Sequence, residues 1–423
     1  MQTGDASMTD RLAILGGTPV RPQGYPSWPD VDEETVARVV ETVRSGQWGG
    51  FPYPGPNTAR FAELFAALHD VRHAIPMANG TITMEVALKA LDVGWGDEVI
   101  VPALTFSATA YAPMAAGALP VIVDVAPDTL AIDPDAVEAA VTDRTKAIIP
   151  VHLGQVMADM DRLTEIAARH GLAIVEDCAH SHGKQWRGRS AGAVAEFGSF
   201  SHQSSKILTS GEGGTLTTND DLLAERAASI IDCGRPKDPD DERGTFGANY
   251  RLSELQAAAL AAQVEKLESQ IDERASSAAY FEELIAEVEG VRLLTIDERL
   301  TRRSFYRYIV CIEPEAFAGL GNSLVCDALD EEGIDCWEGY PSLTRDPLFQ
   351  PWLSRMPVAV EQADRLRPEA WDCPVSDLAG SRQTIYLDEN IFRAGRKGIE
   401  DAVAAFHKVA AGASELRSLT DGG

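Results

Sequence analysis

From about residue 73 onward, short runs of consecutive apolar residues alternate with stretches whose apolar positions recur every three or four residues. The runs DEVIVPAL (97–104), LPVIVDV (119–125), TKAIIPVHL (145–153), LAIVEDCA (172–179) and GTLTTND (214–220) predict strands. Between them TMEVALKAL (83–91), PDAVEAAV (134–141) and MDRLTEIAARHG (160–171) predict helices. Apolar strands linked through helices imply an α/β fold with a mostly parallel sheet covered on both faces. Ligands on such sheets sit beyond the carboxyl ends of the strands.

Upstream, VDEETVARVVETVRSG (31–46) carries acidic residues in its first turn and a terminal Gly46, and it predicts an amphipathic helix, as does ARFAELFAALHD (59–70). Pro19, Pro22, Pro26 and Pro29 disfavour helix before them and predict an extended arm over residues 1–30. The periodic stretch 252–288 predicts one long helix at the end of a large domain spanning 31–290. Beyond it, FYRYIVCIE (305–313) and NSLVCDALDEEG (322–333) predict a strand and a helix of a smaller C-terminal α+β domain, 291–423.

Composition narrows the function. Acidic residues outnumber basic ones by 65 to 37, and the resulting net charge of −28 repels polyanions, so nucleic acid is excluded as a partner. A small phosphorylated ligand stays compatible, because a local pocket can oppose the global sign. No apolar run approaches the roughly 20 residues of a membrane span, and the first residues lack a basic stretch followed by an apolar block, so a cytoplasmic location is expected. The six cysteines are scattered and form no C-x-x-C pair, which predicts reduced thiols and no metal site.

Polar chemistry collects at the predicted strand ends. Asn79, Gly80, Thr81 and Ile82 lie between a short strand and a helix, where free backbone N–H groups and a hydroxyl suit a phosphate. Phe106 falls just past a strand. Asp177 and His180 follow the strand that ends near Val175, and a carboxylate at the mouth of a buried strand must meet a cation or donors. His152 has a similar position and reads as a structural histidine. Ser201 and Gln203 precede Lys206 in FSHQSSKILTSGEGG (200–214), a dense run of small polar residues. A lysine held away from water loses basicity and can condense with an aldehyde. Pyridoxal 5′-phosphate needs a lysine for its aldehyde, an acid at its ring nitrogen, a flat group over its ring and a phosphate cradle. Lys206, Asp177, Phe106, and Thr81 with Ser201 supply these in order.

The motifs NGT (79–81), GDEVIVPALTFSATA (96–110), AIIPVHLGQVMADMD (147–161), IVEDCAHSHG (174–183), SKILTSGEGG (205–214) and GANYRLSELQAA (247–258) resemble those of the DegT/DnrJ/StrS aminotransferases, which act on keto-sugars and keto-cyclitols. The resemblance implies the type I fold of pyridoxal-phosphate-dependent transferases, aspartate-aminotransferase-like, as a homodimer with shared sites. It further implies His180 near the cofactor's ring oxygen and Asn249 reaching the phosphate of the partner subunit. Gln203, ILGGTPVRP (14–22) and DCGRPKD (232–238) resemble the branch that makes aminocyclitols and 3-amino-5-hydroxybenzoate. That branch carries a histidine pair near the C-terminus where this chain reads LDEN (387–390). The expected reaction is therefore amino transfer from glutamate or glutamine to a nucleotide-activated keto-sugar, with a keto-cyclitol as the alternative. Arg235, Lys237, Arg243, Arg251, Arg302 and Arg303 are candidates for a pyrophosphate, and Tyr340 for a further substrate contact.

Overall fold

A computed structural model describes residues 10–236 and 245–420. Its centre is a seven-stranded sheet in the order β1-β9-β8-β5-β4-β2-β3, built from β1 (His73–Met77), β2 (Glu98–Pro102), β3 (Leu119–Val123), β4 (Thr145–Ile148), β5 (Ala173–Asp177), β8 (Phe197–Ser201) and β9 (Gly214–Thr218). The strands β3, β2, β4, β5 and β8 run parallel. Strand β9 runs antiparallel to both β8 and β1, which turns β1 back into the common direction.

Alternation along each strand feeds two cores, because successive side chains point to opposite faces. Ile100, Ile148, Ile174 and Phe200 face one core. Val99, Val101, Ala147, Val175, Phe197 and Leu216 face the other. The first core is covered by α2 (Pro56–Leu68), α6 (Met160–His170) and the start of α8 (Glu254–Ile285). The second is covered by α3 (Gly80–Ala90), α4 (Ala108–Ala116) and α7 (Asp221–Ile231). Helix α5 (Pro134–Ala140) adds Val137 to the first core, and α1 (Glu33–Ser45) packs outside it against α8.

Helix α8 has 32 residues and is about 48 Å long at 1.5 Å per residue. Ser253 and Gln256 close a capping box at its start, which satisfies its first N–H groups. Its early residues Leu260, Leu267 and Ile271 belong to the first core, and its late residues Ala278, Phe281 and Ile285 to a third. The third core lies on the antiparallel sheet β10-β12-β14-β13, formed by Val291–Leu293, Arg307–Ile312, Thr384–Asp388 and Cys336–Trp337. Helix α9 (Asn322–Glu331) and the helix Gly395–Thr420 cover that sheet. A small sheet β11-β6-β7 (Leu300–Arg302, Gln185–Trp186, Arg189–Ser190) joins the two regions.

Two segments pack elsewhere than the sequence boundaries suggest. Residues 343–373, expected in the C-terminal unit, return to the second core: Leu343, Phe349, Val358, Leu366 and Cys373 are buried there. Polar ties hold the return, with Leu343 N–H donating to Ala103 O (2.8 Å), Arg365 paired with Glu98 (2.7 Å) and Val375 N–H donating to Asp124 (2.8 Å). The expected arm is not a free extension. Leu12 is buried in the third core, Ala13 and Val20 donate N–H bonds to Glu332, and Arg21 pairs with Asp401 at 2.8 Å. Apolar residues and a buried carboxylate acceptor at the far end of the chain outweigh the proline-rich local preference.

Beneath the large sheet, His69, His182 and His202 pack edge and face against Phe65 and Phe200, with His69 centred 4.5 and 4.4 Å from those two rings. Burial pushes the imidazoles of His69 and His202 down to about 3 and that of His182 well below the ordinary value. Unfolded imidazoles take up protons near pH 6.5. Stability is therefore complete above about pH 6.5 and is lost as pH falls toward 3, by on the order of 1 kcal/mol per pH unit for each buried ring. Urea denaturation midpoints should drop between pH 6.5 and 5, before most carboxylates titrate. His69→Phe should flatten that slope, and a midpoint independent of pH across this window would contradict the assignment.

Candidate active site

At the carboxyl ends of β1, β2, β5 and β8 the chain leaves a cavity of about 870 Å³. At its edge three segments approach more closely than side chains permit. A Cβ on Gly80 would lie 2.7 Å from Ser201 Cβ, and one on Gly214 would lie 2.5 Å from the backbone of Asn79. Asn79 caps α3 by accepting from Ile82 N–H (3.0 Å), and the helix's first backbone bond runs from Thr83 to Asn79 O. Gly80 and Thr81 thus present N–H groups at a helix N-terminus beside the Ser201 hydroxyl, an arrangement suited to a phosphate. A donor cradle that only glycine fits matches the phosphate of pyridoxal phosphate.

Asp177 closes β5 and is 5% exposed. It accepts from Thr109 Oγ1 (2.9 Å) and Ala179 N–H (3.1 Å). Burial raises its pKa, while these two donors and the charge of Lys206 oppose the rise. Thr109 comes from the first turn of α4, three residues beyond Phe106. Lys206 is 7% exposed, and burial pulls its pKa down to about 7, with Asp177 pulling upward. Its Nζ lies 4.0 Å from the centre of the Tyr306 ring, whose hydroxyl meets Ser205 Oγ at 2.8 Å. Lys206 N–H donates to Gln203 O, and Gln203 Oε1 accepts from Ser205 N–H and Oγ, so the turn carrying the lysine is tied from within.

His180 Nδ1 accepts from Gly154 N–H (3.2 Å), and its Nε2 meets Tyr340 OH at 3.3 Å. Burial first, then Lys206, Lys184 and Arg307, hold its imidazole well below the ordinary value. Phe106 is 47% exposed at the cavity wall, with its ring centre 5.9 Å from that of Tyr340. It is no core aromatic, and its free face is available to a planar ligand. The cavity therefore brings together Lys206, Asp177, His180, Ser201, Gln203, Gly80, Thr81, Ile82, Phe106 and Tyr340.

The basic candidates lie elsewhere. Arg251 and Arg235 both pair with Asp232, Arg302 with Glu268 and Asp272, and Arg303 with Glu282. None of the four lines the cavity. Arg pairs geometrically with carboxylates, and in a chain with 65 acidic residues most arginines find one. Lys237 and Arg243 lie outside the described residues. Asn249 is exposed and outside the cavity of its own chain, whereas its neighbour Tyr250 lines it. The LDEN segment sits at the end of β14, with Asp388 paired to Arg307 and Glu389 to Arg274.

Sequence reading missed Thr109, Tyr306, Trp337, Tyr250, Glu85 and Glu212, all lining the cavity. Thr109 had a signal, a hydroxyl one turn into the helix after a strand-end aromatic. Tyr306 and Trp337 reach the site from the antiparallel sheet and had none. His152 is fully buried with both ring nitrogens engaged, Nε2 with Glu176 (3.0 Å) and Nδ1 with Ala158 N–H (3.2 Å).

Gly80→Ala places a methyl group against Ser201. Overpacking of this kind costs roughly 1–3 kcal/mol. It should weaken pyridoxal phosphate binding about tenfold or more with an unchanged circular dichroism spectrum, and unaltered affinity by absorbance titration would show that the cradle is not at Gly80.

Comparison with known proteins agrees with this geometry. The sequence profile of the DegT/DnrJ/EryC1/StrS aminotransferase family matches residues 29–385. A protein of Streptoalloteichus tenebrarius, provisionally named an L-glutamine:3-amino-2,3-dideoxy-scyllo-inosose aminotransferase, is 40% identical, over 97% of this chain and 100% of its own. The L-glutamine:2-deoxy-scyllo-inosose aminotransferase of Micromonospora echinospora is 37% identical, over 96% and 99%. The crystal structure of 3-amino-5-hydroxybenzoic acid synthase superposes with a TM-score of 0.81 at 34% identity, over 92% of this chain and 98% of that one. The chain belongs to the DegT/DnrJ/EryC1/StrS aminotransferases and is a pyridoxal-phosphate-dependent aminotransferase of the type I fold.

Proposed function

We propose that this enzyme transfers the amino group of L-glutamine to the ketone of a cyclitol of the scyllo-inosose class. The observation that carries the choice is the charge of the cavity wall. Among the described residues its only cationic side chain is Lys206, against the carboxylates Asp177, Glu212 and Glu85, the last paired with Lys89 behind the wall, and no arginine lines it. A nucleoside diphosphate brings at least two negative charges and favours bidentate arginine. A neutral polyol needs only hydroxyl and carboxylate partners, such as those offered by Glu85, Tyr250, Thr105 and Tyr340. The names carried by the relatives from S. tenebrarius and M. echinospora support the same class and the same donor. The preference for a nucleotide-activated sugar, drawn from LDEN and the scattered basic residues, yields to this reading.

Pyridoxal phosphate, when bound, supplies an aldehyde that carries the amine between the two substrates and a ring that takes up electrons from the substrate carbon. The chain's residues do the rest. Asp177, whose anion is favoured by the Thr109 and Ala179 donors against the pull of burial, would face the ring nitrogen and favour its protonated form. Gly80, Thr81 and Ser201 would hold the phosphate, and Phe106 would cover one face of the ring. Lys206 Nζ, with a pKa near 7, is partly free amine at neutral pH, so it can accept the proton from the α-carbon of glutamine and return it during amination of the ketone. Tyr306 and Trp337 add aromatic surface to the cavity wall.

Lys206→Ala should lower turnover by at least the roughly 10²–10⁴-fold ascribed to a placed proton carrier and should abolish retention of the cofactor on the denatured chain after borohydride reduction, which the wild-type protein should show. Assayed against 2-deoxy-scyllo-inosose, 3-amino-2,3-dideoxy-scyllo-inosose and a nucleotide-linked keto-sugar with L-glutamine as donor, the protein should aminate a cyclitol ketone. Turnover confined to the nucleotide-linked ketone would overturn the proposal.

A further inference from the structure

Lys184 is a buried amine that the chemistry above does not use; burial pulls its pKa down to about 7, and three converging carbonyl acceptors, which a neutral amine with two N–H donors does not satisfy, favour its ammonium form. It is fully buried, and among the described residues no carboxylate pairs with it. Its Nζ instead donates to three backbone carbonyls of a single turn: Gly154 O and Val156 O at 2.7 Å and His152 O at 3.3 Å. An ammonium has three donors and no acceptor, so three carbonyls satisfy it fully. A buried charge left unmatched is costly. Lys184 therefore favours the one conformation of residues 152–156 in which all three carbonyls converge, whereas an apolar side chain of similar length would fill the space without selecting it.

That turn is what orients His180. Gly154, at φ +52°, donates its N–H to His180 Nδ1. The opposite side of the turn is clamped to β12 by Gln155, which donates to Ile309 O (2.8 Å) and accepts from Ile309 N–H (2.9 Å). An N–H pointing at Nδ1 makes that nitrogen an acceptor, so the neutral imidazole carries its proton on Nε2, the atom that faces Tyr340 and the cavity. We infer that Lys184 is a positioning residue whose ammonium, through the 152–156 turn and Gly154 N–H, holds His180 as the Nε2-protonated tautomer that presents a donor to the cofactor pocket. This inference rests on the pocket assignment for His180 but not on the identity of the ketone.

Two measurements test it. In ¹⁵N-histidine-labelled wild-type holoenzyme, with the resonances of His180 identified by their loss in His180→Gln, Nδ1 should appear unprotonated and Nε2 protonated; the reverse assignment would overturn the inference without any Lys184 variant. In a double-mutant cycle, Lys184→Met should lower kcat about tenfold or more with His180 present and less than about twofold in the His180→Gln background, because residues that act through one another are not additive. A purely structural lysine would give equal losses in both backgrounds, and that result would also overturn it. If Lys184→Met does not fold, Lys184→Gln, which keeps two donors, takes its place in the cycle. If His180→Gln alone leaves kcat unchanged while the tautomer is as inferred, the pocket assignment of His180 fails rather than the role of Lys184.

Discussion

The removal of water from two opposite charges at the ends of neighbouring strands is the constraint on which this enzyme is built. Burial raises the pKa of Asp177 and pulls that of Lys206 down to about 7. Left alone, each group would lose its charge, since a buried ion costs several kcal/mol. The fold opposes this unequally. Asp177 receives two donors that favour its anion, whereas Lys206 is given an aromatic face and a tied turn, and so keeps a usable free amine. One acid favoured as its anion and one base poised near neutrality are what amino transfer demands of a protein.

The scaffold follows from the need to hold these groups while leaving room for a flat ligand. Parallel strands deliver Asp177, Ser201 and the residues after β1 and β2 to one edge. Glycine at 80 and 214 lets three segments meet where any Cβ would collide. The rest of the wall comes from far along the chain. Tyr306 is held at the start of β12 beside the Arg307–Asp388 pair, and Tyr340 precedes the segment that returns to β2. Helix α8, buried in one core at its start and another at its end, fixes the separation of these parts.

Charge distribution acts at two scales. The chain as a whole is strongly acidic, and most of its arginines are consumed by carboxylates, Arg299 alone by Asp159, Asp161 and Asp297. Positive charge is scarce where ligands bind, and among the described residues the two deeply buried lysines, 184 and 206, make no carboxylate contact at ion-pair distance, although the charge of Asp177 acts on Lys206. Each is matched to neutral partners, carbonyls in one case and a ring face in the other, which makes its position sensitive to the backbone around it.

Local pattern in the sequence determined the alternation of strands and helices, the polar residues at strand ends and the order Thr81, Phe106, Asp177, Lys206, because period-two and period-3.6 spacing and turn chemistry are properties of adjacent residues. Strand β8 escaped it, since FGSFS carries too little apolar signal for a strand whose neighbours bury it. Only the tertiary structure decided that Arg235, Arg251, Arg302 and Arg303 pair with carboxylates of this chain, that residues 343–373 return to the large sheet, and that Tyr306 faces Lys206. These are meetings between groups tens or hundreds of residues apart, settled by which burial and pairing cost least in three dimensions, and no spacing along the chain encodes them.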